Sequence, residues 1–166
     1  MRTILALIVV LVGGGFLLWK GLATAPENVG DYRNATYIIE GERVQLVDGE
    51  AEVGSVITQA FGNEASADLT GDSIPDVAFI LAQQPGGTGT FYYIAVARGV
   101  AGGGYEGTNA LLLGDRIAPQ TTEIRNGTII VNYADRRPDE PMTADPTVGV
   151  SRTFRMESGT LKEVTQ

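Results

Sequence analysis

The chain has 166 residues, 43% hydrophobic and 19% charged, which suits one globular domain with an appendage. Its formal net charge of −8 argues against nucleic acid or an anionic membrane surface as partner. It contains no cysteine and no histidine, which excludes disulfides, zinc–thiolate sites, thiol catalysis, cysteine lipidation and any Ser-His-Asp triad.

Met1-Arg2-Thr3 precedes an apolar run from Ile4 to Trp19, interrupted only by Gly13-Gly14-Gly15. The run is slightly short for the ~20 residues that span a bilayer, but Lys20 can snorkel and Gly21-Leu22-Ala23 can extend the helix. Residues 1–23 therefore read as a single transmembrane anchor, with the N-terminus cytoplasmic and the acidic remainder outside. The alternative is a secretory signal cut after Ala25, leaving a secreted or periplasmic protein; Pro26 after the cut speaks against it. Residues 24–35 are polar and turn-rich and read as a linker. The rest, 36–166, reads as one extracytoplasmic β-domain.

Thr36 to Glu40 and Glu42 to Val47 flank Gly41 as a hairpin, and Asp48-Gly49 is a turn. Val53 to Phe61 mixes helical spacing with β-branched residues; the expectation is strand. Val77 to Ala82 and Phe91 to Ala97 are near-continuous apolar runs, expected to be central strands buried on both faces. Gln83 to Thr90 between them is glycine-rich, but no phosphate-reaching lysine or helix follows, so it reads as a hairpin loop. Arg98 to Gly107 reads as a further glycine-rich loop, and Thr108 to Gly114 as a strand. Asn126-Gly127 is the strongest hairpin signal, joining Gln120–Arg125 to Thr128–Ala134, with Ile129, Val131 and Tyr133 on one face. A long Asp/Arg/Pro-rich loop, Asp135 to Pro146, precedes strands around Val148–Met156 and Thr160–Val164. The fold class expected is all-β: an antiparallel sandwich or partly open barrel of about nine strands, preceded by the one anchor helix.

The stretch Ala67 to Asp76 carries carboxylates at Asp68, Asp72 and Asp76. Like charges so close repel unless a cation or a proton intervenes. A tight loop can offer a hard cation oxygens from Asp68, Thr70, Asp72 and Asp76 and the carbonyl of Ile74, with Glu64 as an additional donor. The run departs from the helix–loop–helix calcium motif: Ser73 replaces its turn glycine, Thr70 is a neutral ligand, and Phe79 stands where the bidentate glutamate would be. The other reading of the same residues is a solvated Asp/Gly/Pro turn between strands, held by Asx-type hydrogen bonds. Because an apolar strand follows, Asp68-Leu69-Thr70-Gly71-Asp72-Ser73-Ile74-Pro75-Asp76 resembles the calcium-binding loops of FG-GAP repeats. That resemblance implies structural calcium at Asp68, Thr70, Asp72 and Asp76. It covers one short stretch without a second copy, so it does not imply a propeller.

More widely, the order of this loop, Val77 to Leu81, Gly86 to Tyr93, Leu112 to Arg116 and Asn126 to Val131 resembles a bacterial envelope protein family of unknown function with a single β-domain. The resemblance implies an anchored or exported protein and supplies no catalytic residue. Three functions follow as expectations. The first is an extracytoplasmic domain of binding type, stabilised by calcium, whose partner is an envelope protein or polymer. The second is an envelope hydrolase working through paired carboxylates drawn from Asp115, Asp135, Asp139 and Glu140. The third is a passive subunit of an envelope complex. The charged loop, with Asp135, Arg136, Arg137, Asp139 and Glu140, reads either as a polar binding rim or as solvated ion pairs at strand ends.

Overall fold

The computed structural model describes residues 30–164, so the expected anchor and the first half of the expected linker lie outside the described residues. Among the described residues no helix is long and apolar enough to cross a membrane. One 3-10 turn, Tyr32–Asn34, leads into twelve strands: β1 (Thr36–Ile39), β2 (Glu42–Gln45), β3 (Glu50–Val53), β4 (Val56–Ala67), β5 (Asp76–Gln84), β6 (Phe91–Gly99), β7 (Tyr105–Gly107), β8 (Asn109–Asp115), β9 (Ala118–Arg125), β10 (Thr128–Asp135), β11 (Val148–Glu157) and β12 (Thr160–Glu163).

The all-β expectation holds, with two corrections. The described residues form twelve strands rather than about nine, and the partly open barrel expected is a nearly closed, mixed one with a separate four-stranded antiparallel sheet beside it. The first sheet runs β2-β1-β8-β6-β5-β4-β3, with β7 paired to β6, and it curls into the barrel. It is mixed, because β1 lies parallel to β8 through Ile38 and Ile39 against Asn109 and Ala110. The second sheet runs β12-β11-β10-β9.

Local chemistry fixes the hairpins. Glu40-Gly41, Asp48-Gly49, Asn126-Gly127 and Ser158-Gly159 all have positive φ at both positions. Such paired left-handed residues match the twist of two-residue hairpins, which is why a glycine stands second in each. The ambiguous Val53–Phe61 segment is largely strand, but it contains the end of one hairpin arm and the first half of the next, turning at Gly54. Strand β4 then continues to Ala67, with register shifts between Ala60 and Ala65 that absorb its bend. Glu64, expected as an additional oxygen donor to the loop, therefore sits on a strand.

Strands β5 and β6 are the wall shared by two cores. Val77, Phe79 and Leu81, with Tyr93, Ala95 and Ala97, point into the barrel beside Tyr37, Ile39, Val44 and Leu46. Ala78, Ile80, Ile94 and Val96 point the other way, onto Ile129, Val131, Tyr133, Phe154 and Leu161 of the second sheet. Both faces are dry, and that is why the sequence shows continuous apolar runs rather than alternation. Tyr32 and Ala35, in the expected linker, belong to the barrel core.

The layers are also tied by polar groups. The Asn109 side chain donates to Leu161 O at 3.0 Å and accepts from Leu161 N at 2.8 Å, imitating one rung of a ladder. Arg152 donates to Leu112 O at 2.7 Å while its guanidinium pairs with Glu163. Gly107 marks the tightest approach inside the barrel, because a Cβ there would lie 2.3 Å from Thr36 O.

The barrel does not close completely. Its two end strands, β2 and β3, meet only at the Asp48-Gly49 turn, where Val47 N donates to Glu50 O at 2.8 Å and Glu50 N returns the bond to Val47 O at 3.1 Å. Beyond this pair each strand has one hydrogen-bonded neighbour, β1 for β2 and β4 for β3.

Candidate functional site

The Asp loop joins β4 to β5, and its three carboxylates have different roles. Asp76 opens β5 and is completely buried. Its Oδ2 accepts from Leu69 N at 2.8 Å and its Oδ1 from Gly99 N at 2.9 Å, so it clasps the loop to the end of β6. Gly99 permits the clasp, since a Cβ there would meet Ile74 and Pro75 at 2.5 Å. Asp68 is exposed and accepts from Gly71 N at 2.6 Å and Ser73 N at 2.9 Å. These backbone donors, Ser73 first, hold its carboxyl below the usual carboxylate range. Asp72 accepts only from Ile74 N, at 2.8 Å. Ser73 takes the left-handed turn position with φ 69°. Thr70 is exposed and Ile74 half-buried.

The donor set can be tested against calcium on this geometry. A calcium ion needs six to eight convergent oxygens. Here Asp76 is turned inward, away from the exposed Asp68 and Asp72, and its oxygens serve two buried N–H groups. Among the described residues no three acidic side chains converge so that they could hold a metal ion. In this arrangement Asp68, Asp72 and Asp76 serve a hydrogen-bonded turn that also contains Thr70 and Ile74. Glu64 remains on β4.

The other candidate acids are dispersed. Asp115 ends β8, accepts from Thr90 N at 3.0 Å and pairs with Arg116 at 2.8 Å; that guanidinium chiefly lowers its pKa. Asp135 ends β10 and accepts from Arg136 N at 2.7 Å. Glu140 accepts from the backbone and guanidinium of Arg137, both at 2.8 Å, and the backbone bond chiefly lowers its pKa. Asp139 is exposed in the same loop. Arg136 donates to Ala144 O at 2.6 Å and Arg116 O at 2.7 Å, so it braces the loop from within. The geometry is that of ion pairs and loop braces at strand ends.

What the sequence reading missed is the barrel seam. Where β2 and β3 diverge, a hollow of about 380 Å³ is walled by Ile39, Val44, Val53 and Val56 and rimmed by Glu40, Glu42 and Arg43. Thr58 and Gln83 line it too, joined by a 3.2 Å hydrogen bond. A second hollow of about 430 Å³ lies near the Asp48-Gly49 turn, lined by Arg33, Asp48, Glu50, Gln59 and Phe61. The first combines apolar walls with a charged rim, the usual make-up of a binding site. None of Asp115, Asp135, Asp139 and Glu140 lines either hollow. A signal existed in the sequence: Glu40, Glu42, Asp48, Glu50 and Glu52 stand within thirteen residues that hold one base, Arg43.

No protein-family model, curated protein or solved structure matches this chain.

Proposed function

We propose that this chain is a membrane-anchored, extracytoplasmic β-domain that binds a partner and performs no chemistry of its own. One observation carries the reading: Asp115, Asp135 and Glu140 are each held by a guanidinium or a backbone N–H, while the seam hollow offers apolar walls under a charged rim. Acid–base catalysis needs a titratable pair facing a common space; Asp115, Asp135, Asp139 and Glu140 line neither hollow, and the apolar walls of the seam suit recognition. The apolar run from Ile4 to Trp19 supports the anchored placement.

The placement is testable with the full chain fused at its C-terminus to a reporter enzyme that folds only outside the cytoplasm. The expected result in a bacterial host is an active reporter that sediments with membranes and resists alkaline extraction. An inactive reporter would overturn the orientation, and an active but soluble one would restore the cleaved-signal alternative.

The Asp loop belongs to the same reading as a staple that works without a cation. The full chain in detergent is expected to melt at the same Tm, within about 1 °C, in millimolar calcium and in chelator, since only an ion that binds the folded state raises Tm. A calcium-dependent rise that disappears in Asp72→Ala would make the loop a cation site instead.

A further inference from the structure

We propose that the seam between β2 and β3 accepts an extended, basic segment of a partner protein as an additional strand. The inference rests on the binding-domain reading above and names its site. Sheet edges carry unpaired N–H and C=O groups that can template another strand. Here two edges face one hollow.

The ladder fixes which groups are free. Leu46 N donates to Ala35 O at 3.1 Å, so alternation along β2 turns Val44 toward β1 and the backbone groups of Arg43 and Gln45 toward the seam. On the other side Ala60 N donates to Gly49 O at 2.7 Å, so Ala51 and Val53 bond toward β4 and the groups of Glu52 face the seam. A guest strand would thus find donors and acceptors on both flanks and apolar walls beneath it. The hollow of about 380 Å³ has room for roughly a dozen waters at ~30 Å³ each, and displacing water from its apolar walls would favour an apolar side chain. Val53, 63% exposed, leaves apolar surface open to a guest strand at this site.

Charge selects the occupant. The segment from Glu40 to Val53 carries five acids and one arginine, net −4. Glu42 and Glu52 lie on the two free edges. A second copy of this chain would bring an equally acidic edge, and the described residues as a whole carry ten basic and nineteen acidic side chains, net −9. Self-pairing is therefore opposed, whereas a strand alternating cationic and apolar residues is complementary in both respects.

The probe is a fluorescent peptide about eight residues long, the length of an ordinary strand, alternating lysine and valine. Its anisotropy is titrated with the full chain in a neutral detergent. The proposal expects saturable binding that weakens about tenfold or more in the charge-reversed Glu42→Lys/Glu52→Lys variant, with Tm unchanged. It expects a similar loss when a central valine of the peptide becomes proline, which cannot donate to a ladder. A glutamate–valine peptide should not bind. Absence of binding at about 1 mM of the chain, equal binding of the proline peptide, or binding indifferent to charge reversal would each overturn the proposal. So would sedimentation showing a dimer that Val53→Lys dissociates, because the seam would then be self-paired. None of these outcomes touches the reporter test of anchoring, so the two readings can fail separately.

Discussion

Replacing Asp76 by alanine is expected to lower stability by about 2–5 kcal/mol, measured as a shift of the urea midpoint of the full chain in detergent. The physical reason is the pair of buried donors that the carboxylate satisfies, Leu69 N and Gly99 N. Each N–H left without a partner away from water costs roughly 1–3 kcal/mol. No solvent reaches the site to replace the carboxylate, because Asp76 is completely buried and Ile74 and Pro75 press on Gly99. Asp72 is exposed and holds a single N–H two residues on, so Asp72→Ala should cost no more than about 1 kcal/mol. Asp76→Asn keeps one acceptor but points an amide donor at another donor, and it should fall between. The ranking separates two views of the loop. Were it a cation cage, Asp72→Ala in calcium would cost as much as Asp76→Ala. Equal effects would therefore sink the clasp interpretation.

The ranking also shows what the spacing of the three aspartates could and could not convey. Their recurrence marks a tight loop, and the loop is there. It does not distinguish a carboxylate that points into solvent from one that points into the protein. The distinguishing feature was the neighbourhood: Asp76 runs directly into the continuous apolar strand from Val77, so it begins a buried element, whereas Asp68 and Asp72 flank the polar turn Thr70-Gly71 and Asp72 runs on into Ser73. Elsewhere the legible elements were those fixed by local rules. Asn126-Gly127 and Glu40-Gly41 set their hairpins through backbone φ, and the doubly apolar β5 and β6 announced burial on both faces. Strand β3 was hidden because Glu50–Val53 is a short, charged edge whose pattern serves the solvent rather than a core. Strand β7 was hidden among glycines. The parallel pairing of β1 with β8 joins residues about seventy positions apart, and nothing local encodes it. The seam depends on that closure: its acidic residues were legible as a cluster, but not their place beside two strand edges.

Phe79 ties the start of the fold to the central strand of the barrel. Its ring is fully buried and meets Tyr32 at 4.7 Å between centroids and Tyr37 at 5.3 Å, both at steep angles. Those two tyrosines come from the start of the fold, so Phe79 joins the N-terminal 3-10 turn and β1 to the central strand. Phe79→Ala should cost about 3–5 kcal/mol, from lost transfer energy plus the cavity left in a wall that cannot collapse. Small domains are stable by only ~5–15 kcal/mol, so the variant should sit close to global unfolding at ambient temperature. Its neighbour Ile80 faces the second sheet and should cost about 2–5 kcal/mol as Ile80→Ala. The two differ in where the damage appears. Amide exchange in Phe79→Ala should accelerate first in β1 and β2, whose inward residues Tyr37, Ile39 and Val44 share its core. In Ile80→Ala it should accelerate first in β10 and β11, where Ile129, Val131 and Phe154 lose their partner. If both variants loosen the same strands, the two cores are one cooperative unit and the division of β5 into an inward and an outward face has no energetic meaning. If they separate, the seam is built on the less secured half: β2 and β3 would depend on the barrel core alone, with no support from the second sheet.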